Sequence, residues 1–335
     1  MLQLTLTGVG TFVVRVLTRL GPQHWCPPRI SLRLFQISSE PGTALMAADL
    51  RRHLPPSGWR TRTDLEYAPA TGRDGRFDLV LPAGPGPHPL VVWVHGGGWF
   101  FGSKADVLPY VEQLAVRGFA GAVVNYPRAP RARHPSAPRA VNAALRHLLD
   151  HAEEYEIDPS RIVLAGDSAG AQVAAELAVL CTNPTYAATT ALEPALGPEQ
   201  LRGTLLFCGI FDPAALDDAD RVFEAVLGSA MWSVSGTRNW KQSRAVDLMN
   251  VRARANSHFP PTFLAAGDAD PLTRRQTAPF AERLRSLDVR VEDYRPGEAG
   301  DPAHHEFQFR LGTPPGDEAL DRATRFLEDI TSNSH

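Results

Sequence analysis

From about residue 59 the chain alternates short apolar runs with longer stretches of helical periodicity. Leu90–Val94 (LVVWV) and Ala120–Val124 are continuous apolar runs, the pattern of strands buried on both faces. Ile162–Ala165, Leu205–Phe207, Phe263–Ala266 and Val289–Tyr294 read as further strands. Trp59–Tyr67 and Phe77–Leu81 read as edge strands separated by a turn at Gly72–Gly75. Between the strands, Val107–Val116, Ala137–Tyr155, Ala169–Leu180, Thr273–Leu287 and Asp317–Ile330 read as helices, with Asp158-Pro159 stopping the second of them. Strands alternating with helices predict an α/β fold whose mostly parallel central sheet carries helices on both faces.

Two stretches leave this rhythm, residues 1–55 and about 211–257. In the first, Val9, Phe12, Val13, Val16, Leu17 and Leu20 recur at the spacing of an amphipathic helix. Arg15 and Arg19 interrupt the run, no charged segment precedes it and no small-residue cleavage site follows, so neither a secretory signal nor a membrane span is expected. A helix over an active-site mouth is the reading, with contact at a membrane surface the alternative. The second stretch carries Met231, Trp232, Trp240 and Met249 on helical segments, as a lid would. The chain therefore divides into an N-terminal cap segment, 1–55, and a catalytic domain, 56–335, with a cap insertion at about 211–257.

Composition adds exclusions. A net charge of −3 provides no overall attraction to nucleic acid. Cys26, Cys181 and Cys208 form neither a CxxC nor a disulfide framework; they read as buried apolar residues in a reducing, cytoplasmic setting.

The chemistry centres on Gly166-Asp167-Ser168-Ala169-Gly170, which follows a strand and opens an alanine-rich helix. A serine hydroxyl is a weak nucleophile unless a base takes its proton and its line of attack is open. A sharp strand-to-helix turn exposes Oγ at the sheet edge, and glycines at 166 and 170 let strand and helix approach closely. The helix N-terminus also points its free N–H groups at a developing oxyanion. His95-Gly96-Gly97-Gly98-Trp99 directly follows the Leu90–Val94 strand. The N–H groups of Gly97, Gly98 and Ala169 are expected to form an oxyanion hole, and His95 to organise the loop. No GK[ST] or GxGxxG pattern accompanies these glycines, which disfavours a phosphate loop. Acid and base should follow in the order Ser, acid, His. Asp270, ahead of the turn-fixing Pro271, is preferred to Asp268, and either His304 or His305 supplies the base. Trp99 and Phe100 are the candidate substrate-binding side chains.

Together these residues resemble the hormone-sensitive-lipase-like (bacterial family IV) carboxylesterases of the α/β-hydrolase superfamily, over about residues 60–330. The resemblance rests on HGGGW at 95–99, GDSAG at 166–170, Asp270-Pro271-Leu272, and a histidine followed by aromatics at 305–309. It implies an α/β-hydrolase fold with a helical cap, Asp270 as the acid, and His305 as the base, because His305-Glu306-Phe307 fits the register of the family's His-Gly-Phe. Two departures stand out: Glu306 replaces that glycine, and the family's Tyr-Arg-Leu-Ala-Pro-Glu reads Tyr126-Pro127-Arg128-Ala129-Pro130-Arg131. The expected activity is hydrolysis of short- to medium-chain carboxylic esters through Ser168, His305 and Asp270, with no metal or organic cofactor and the chain a monomer or homodimer. Two other readings use the same fold: an arylformamidase-like amidase, and a non-catalytic small-molecule receptor, which should lack a triad member.

Overall fold

The computed structural model describes residues 28–216, 221–297 and 302–332. The helix expected at Val9–Leu20 lies outside the described residues. A helix, α1 (Pro28–Arg51), opens the described chain. Then come β1 (Trp59–Glu66), β2 (Arg76–Pro82), β3 (His88–Val94), α2 (Lys104–Val116), β4 (Ala120–Val124), α3 (Ser136–Asp150), β5 (Ile157–Asp167) and α4 (Ser168–Thr182). β6 (Leu201–Phe207), α5 (Arg221–Ser235), β7 (Thr262–Ala265), α6 (Ala278–Arg285), β8 (Val291–Tyr294) and α7 (Pro314–Thr331) complete the main elements. The strands form one sheet in the order β1-β2-β4-β3-β5-β6-β7-β8. β1 and β2 are antiparallel to their neighbours, and every pairing from β4 to β8 is parallel.

Why both faces are apolar is visible in β3. Successive strand side chains point to opposite faces. Leu90, Val92 and Val94 join the core shared with Val141 and Leu145 of α3 and Val173 and Leu177 of α4. Val91 and Trp93 join the opposite core, with Val107 and Val111 of α2 and Phe326 and Leu327 of α7. The fold is the expected mostly parallel sheet clothed by helices. Outside these layers, α1 packs on α2 and α5.

Three local expectations change. Phe77–Leu81 is not an edge: β2 lies between β1 and β4, and its residues from Phe77 to Pro82 are buried. Helix α3 ends at Asp150 rather than running to Tyr155. The rings of His147, His151 and Tyr155 gather where the chain turns, and Asp158-Pro159 falls inside β5. Pro159 is tolerated there because this stretch precedes the regular pairing that begins at Ile162. The carboxylate of Asp158 instead accepts from Ser160 N and Arg161 Nε. Finally, Thr273–Thr277 is a wide π-type turn before the α-helix begins at Ala278. Gln276 on that turn accepts from the N–H groups of Phe211 and Asp212, so the widened turn secures the loop after β6.

Phe207 ends β6 in the middle of the sheet, stacked on Trp93 at 5.6 Å and tilted against Phe263. Phe207→Ala should lower stability by about 3–5 kcal/mol through the lost transfer energy and the cavity left behind. The midpoint of denaturant unfolding measures this, and an unchanged midpoint would show that the site collapses without penalty.

Candidate active site

The parallel register ends several strands level with one another. Val94 lies beside Gly166, Asp167 beside Phe207, Phe207 beside Ala265, and Ala265 beside Tyr294. Residues just past these ends are therefore neighbours in space. They are His95-Gly98 after β3, Ser168 after β5, Cys208 after β6, Asp270 after β7 and His305 after β8.

Ser168 opens α4 with φ of 50°, a left-handed conformation that costs a residue with a Cβ roughly 1–2 kcal/mol. Packing around the turn maintains it. A Cβ on Gly166 would lie 2.6 Å from the Gly170 carbonyl carbon and 2.7 Å from Val94 O. A Cβ on Gly170 would overlap the Val94 carbonyl oxygen and lie 2.6 Å from that of His95. Strand and helix backbones thus touch the end of β3 directly. Ser168 Oγ is aimed at His305 Nε2, 3.0 Å away.

His305 Nδ1 lies 2.9 Å from Asp270 Oδ2. A carboxylate only accepts, so Nδ1–H donates to Asp270 and Nε2 is left to accept from the serine hydroxyl. Asp270 is buried and its Oδ1 accepts from Leu272 N at 2.9 Å, which holds the carboxylate in the turn that Pro271 shapes. Burial alone would lower the pKa of His305, but the charge and hydrogen bond of Asp270 outweigh it and hold the imidazole well above its usual range. Burial would likewise raise Asp270, yet the same partnership holds it below the ordinary carboxylate value. The alternatives weighed in the sequence lie apart from this chain of contacts. Asp268 accepts from Ala303 N at 2.9 Å and so braces its own loop. His304 is exposed, and its carbonyl accepts from Phe307 N.

The glycine loop turns tightly beside Ser168. Gly97 and Gly98 have φ of 105° and 56°, and the N–H groups of Phe100 and Phe101 both donate to Gly97 O. Among the described residues the N–H groups of Gly97 and Gly98 donate to no protein acceptor. Ala169 N–H sits in the first turn of α4, where a helix has no partner for it. His95 is buried, its Nδ1 2.8 Å from Gly96 O and its ring stacked on Tyr126 at 4.4 Å. Burial pushes its pKa down to about 3, so it stays neutral. Trp99 and Phe100 are both buried; Trp99 Nε1 donates to Gln172 Oε1 at 3.0 Å, and the Phe100 ring backs Gly98.

Three residues of this neighbourhood had no role in the sequence reading. Asp167 is buried between Trp93 Nε1 and Gly96 N, each donating to it at 2.8 Å. Cys208, expected only as an apolar filler, brings its sulfur to Asp270 and His305: the potential ligand atoms of the three residues lie within 4.8 Å of one another. Burial pushes the thiol up to about 12, and Nδ1 of His305 is already bonded to Asp270, so this is a poor metal centre. Glu306 holds φ of 59° and sets Oε1 3.9 Å from His305 Nε2. The left-handed backbone explains why a glycine suits this position.

A profile of the family described as alpha/beta hydrolase fold matches residues 91–299. Carboxylesterase NlhH of Mycobacterium tuberculosis is 30% identical over 271 residues, 77% of this chain and 80% of that protein. Esterase LipQ of the same organism is 25% identical over 255 residues, 74% of this chain and 57% of its own length. Esterase B from Lactobacillus rhamnosis superposes with a TM-score of 0.77 at 21% identity, covering 88% of this chain and 93% of that one. Among the described residues no helix is long and apolar enough to cross a membrane. The family match, the relatedness to NlhH and the sheet order agree: the chain belongs to the alpha/beta hydrolase fold family, and within it to the hormone-sensitive-lipase-like (bacterial family IV) carboxylesterases.

Proposed function

We propose that this carboxylesterase cleaves short- to medium-chain acyl esters by two-step acyl transfer through Ser168, His305 and Asp270. The observation that carries the reading is the unbroken hydrogen-bond chain from Ser168 Oγ through His305 to Asp270, beside N–H groups that have no protein partner among the described residues. In the first step Oγ attacks the ester carbonyl while Nε2 of His305 takes its proton. Asp270 keeps Nδ1–H directed at itself and stabilises the imidazolium. The carbonyl oxygen becomes an oxyanion held by the N–H groups of Gly97, Gly98 and Ala169. His305 then protonates the departing alcohol, leaving an acyl-serine. Water repeats the sequence, losing its proton to Nε2, and releases the acid.

Helices α1 and α5, packed against each other, are read as parts of a cap over this edge of the sheet. Trp99 and Phe100, with their rings buried behind the glycine loop, are read as acting on substrate through the shape of that loop. A complete set of triad side chains in contact is what the receptor reading should lack.

Ser168→Ala should abolish turnover of short-chain nitrophenyl esters and labelling by a fluorophosphonate; activity near wild type would sink the mechanism. Asp270→Asn should lower kcat by roughly 10⁴-fold, as the imidazole loses its fixed tautomer. Since only neutral His305 accepts the serine proton, kcat/KM should be low at acid pH and rise through a midpoint above the ordinary histidine value. In Asp270→Asn that rising limb should move to lower pH, because burial, which lowers the pKa, then loses its largest opponent. A limb that stays in place would disconnect Asp270 from the base.

A further inference from the structure

The departure at Glu306 lies against a second carboxyl. Its carboxyl is within hydrogen-bonding reach of that of Asp167. A Cβ placed on Gly96 would overlap Asp167 Oδ2 and lie 3.1 Å from Glu306 Oε1, so both acids press on the same point of the glycine loop. Asp167 ends β5 immediately before Ser168, and its two oxygens accept from Trp93 Nε1 and from Gly96 N. Glu306 follows His305, and its own N–H donates to Cys208 Sγ at 3.3 Å. One carboxyl–carboxyl contact therefore joins the segments carrying the nucleophile, the oxyanion donors and the base. It is partly covered, with the Glu306 side chain 29% exposed.

We propose that Glu306 is a positioning residue of this esterase, its carboxyl sharing one proton with that of Asp167 and so holding these three segments in register. The inference rests on the catalytic reading above. Two carboxylates cannot both ionise at this separation without strong repulsion. The surrounding charges agree. Around Glu306 stand Asp167, Asp270 and Asp106 as acids, the buried thiol of Cys208, and His305 as a group of opposite sign. Burial first, and then the neighbouring acid, pushes the Asp167 carboxyl well above its usual range; burial also raises Glu306, against the charge of His305 and the hydrogen bond from Asp167. The proton is thus retained at neutral pH and lost on the alkaline side. Once it leaves to solvent, the contact turns repulsive, and the oxyanion loop and His305 are pushed apart.

The test compares wild type, Glu306→Gln and Glu306→Leu on one short-chain nitrophenyl ester, with kcat and KM followed from neutral to alkaline pH. The glutamine amide donates to Asp167 and does not ionise, so it should keep kcat within about threefold at neutral pH and lose the alkaline fall shown by wild type. Leucine fills the space without donating and should lower kcat on the order of tenfold to a hundredfold at little change in KM, as misplaced reacting groups do. A glutamine variant that falls with wild type at high pH, a wild-type profile that stays flat there, or a leucine variant with wild-type kcat overturns the proposal. If Glu306→Leu does not fold by thermal unfolding, the comparison of glutamine with wild type still decides. Fluorophosphonate labelling separates the two levels of inference. An unlabelled wild type defeats the catalytic reading itself, whereas a labelled wild type with kinetically unchanged variants defeats only the role of Glu306.

Discussion

Direct backbone contact at the end of β3 is the constraint on which the carboxyl edge of the sheet depends. Gly166 and Gly170 lie so close to the carbonyls of Val94 and His95 that no side chain fits between them. That contact places the first turn of α4 beside the glycine loop, and with it the left-handed Ser168 and the first free N–H groups of the helix. The parallel ladder then sets the remaining distances. Because β5, β6, β7 and β8 end in register, the loops after β7 and β8 arrive beside Ser168 with Asp270 and His305. Ser168, His305 and Asp270 are thus brought together by backbone packing first and by side-chain hydrogen bonds second.

Electrostatics divides the site into two sides. On one, Asp270 and His305 stabilise each other's charged forms, which keeps the imidazole a strong base despite its burial. On the other, His95 is held neutral by burial and serves the loop through its contact with Gly96 and its stacking on Tyr126. Tyr126 OH in turn donates to His95 O at 2.9 Å. The departure in the Tyr126–Arg131 segment therefore leaves intact the aromatic that supports the loop. Arg128 from the same segment donates to Gly102 O and pairs with Asp74, which fastens the far end of the loop.

A buried polar chain extends the support away from the site. Gln172 accepts from Trp99 Nε1 and donates to Glu176 at 2.7 Å, and Glu176 also meets His134 Nε2 at 2.7 Å and Tyr186 OH at 2.6 Å. His134 N donates to Val234 O on α5, so the glycine loop and α5 share one connected interior. Burial would raise Glu176, but the His134 charge and the hydrogen bonds lower it, so the carboxylate persists inside the protein.

Much of this was legible in the chain alone, because period-two and helical patterning report burial, and because GDSAG and HGGGW each require a particular backbone. The parallel α/β sheet and the strand-to-helix turn at Ser168 follow from those local requirements. The sequence could also rank Asp270 over Asp268 and, through family resemblance, His305 over His304. It could not show that Phe77–Leu81 lies inside the sheet, since an antiparallel strand with one partner reads like one with two. Nor could it place Asp167, Cys208 and Glu306 around Ser168, His305 and Asp270, for they come from three strand ends far apart in the chain. Their meeting depends on strand order and register, which no local pattern specifies. Glu306 shows this division most plainly: its number marked a departure from a family motif, and only the fold put a second buried carboxyl beside it.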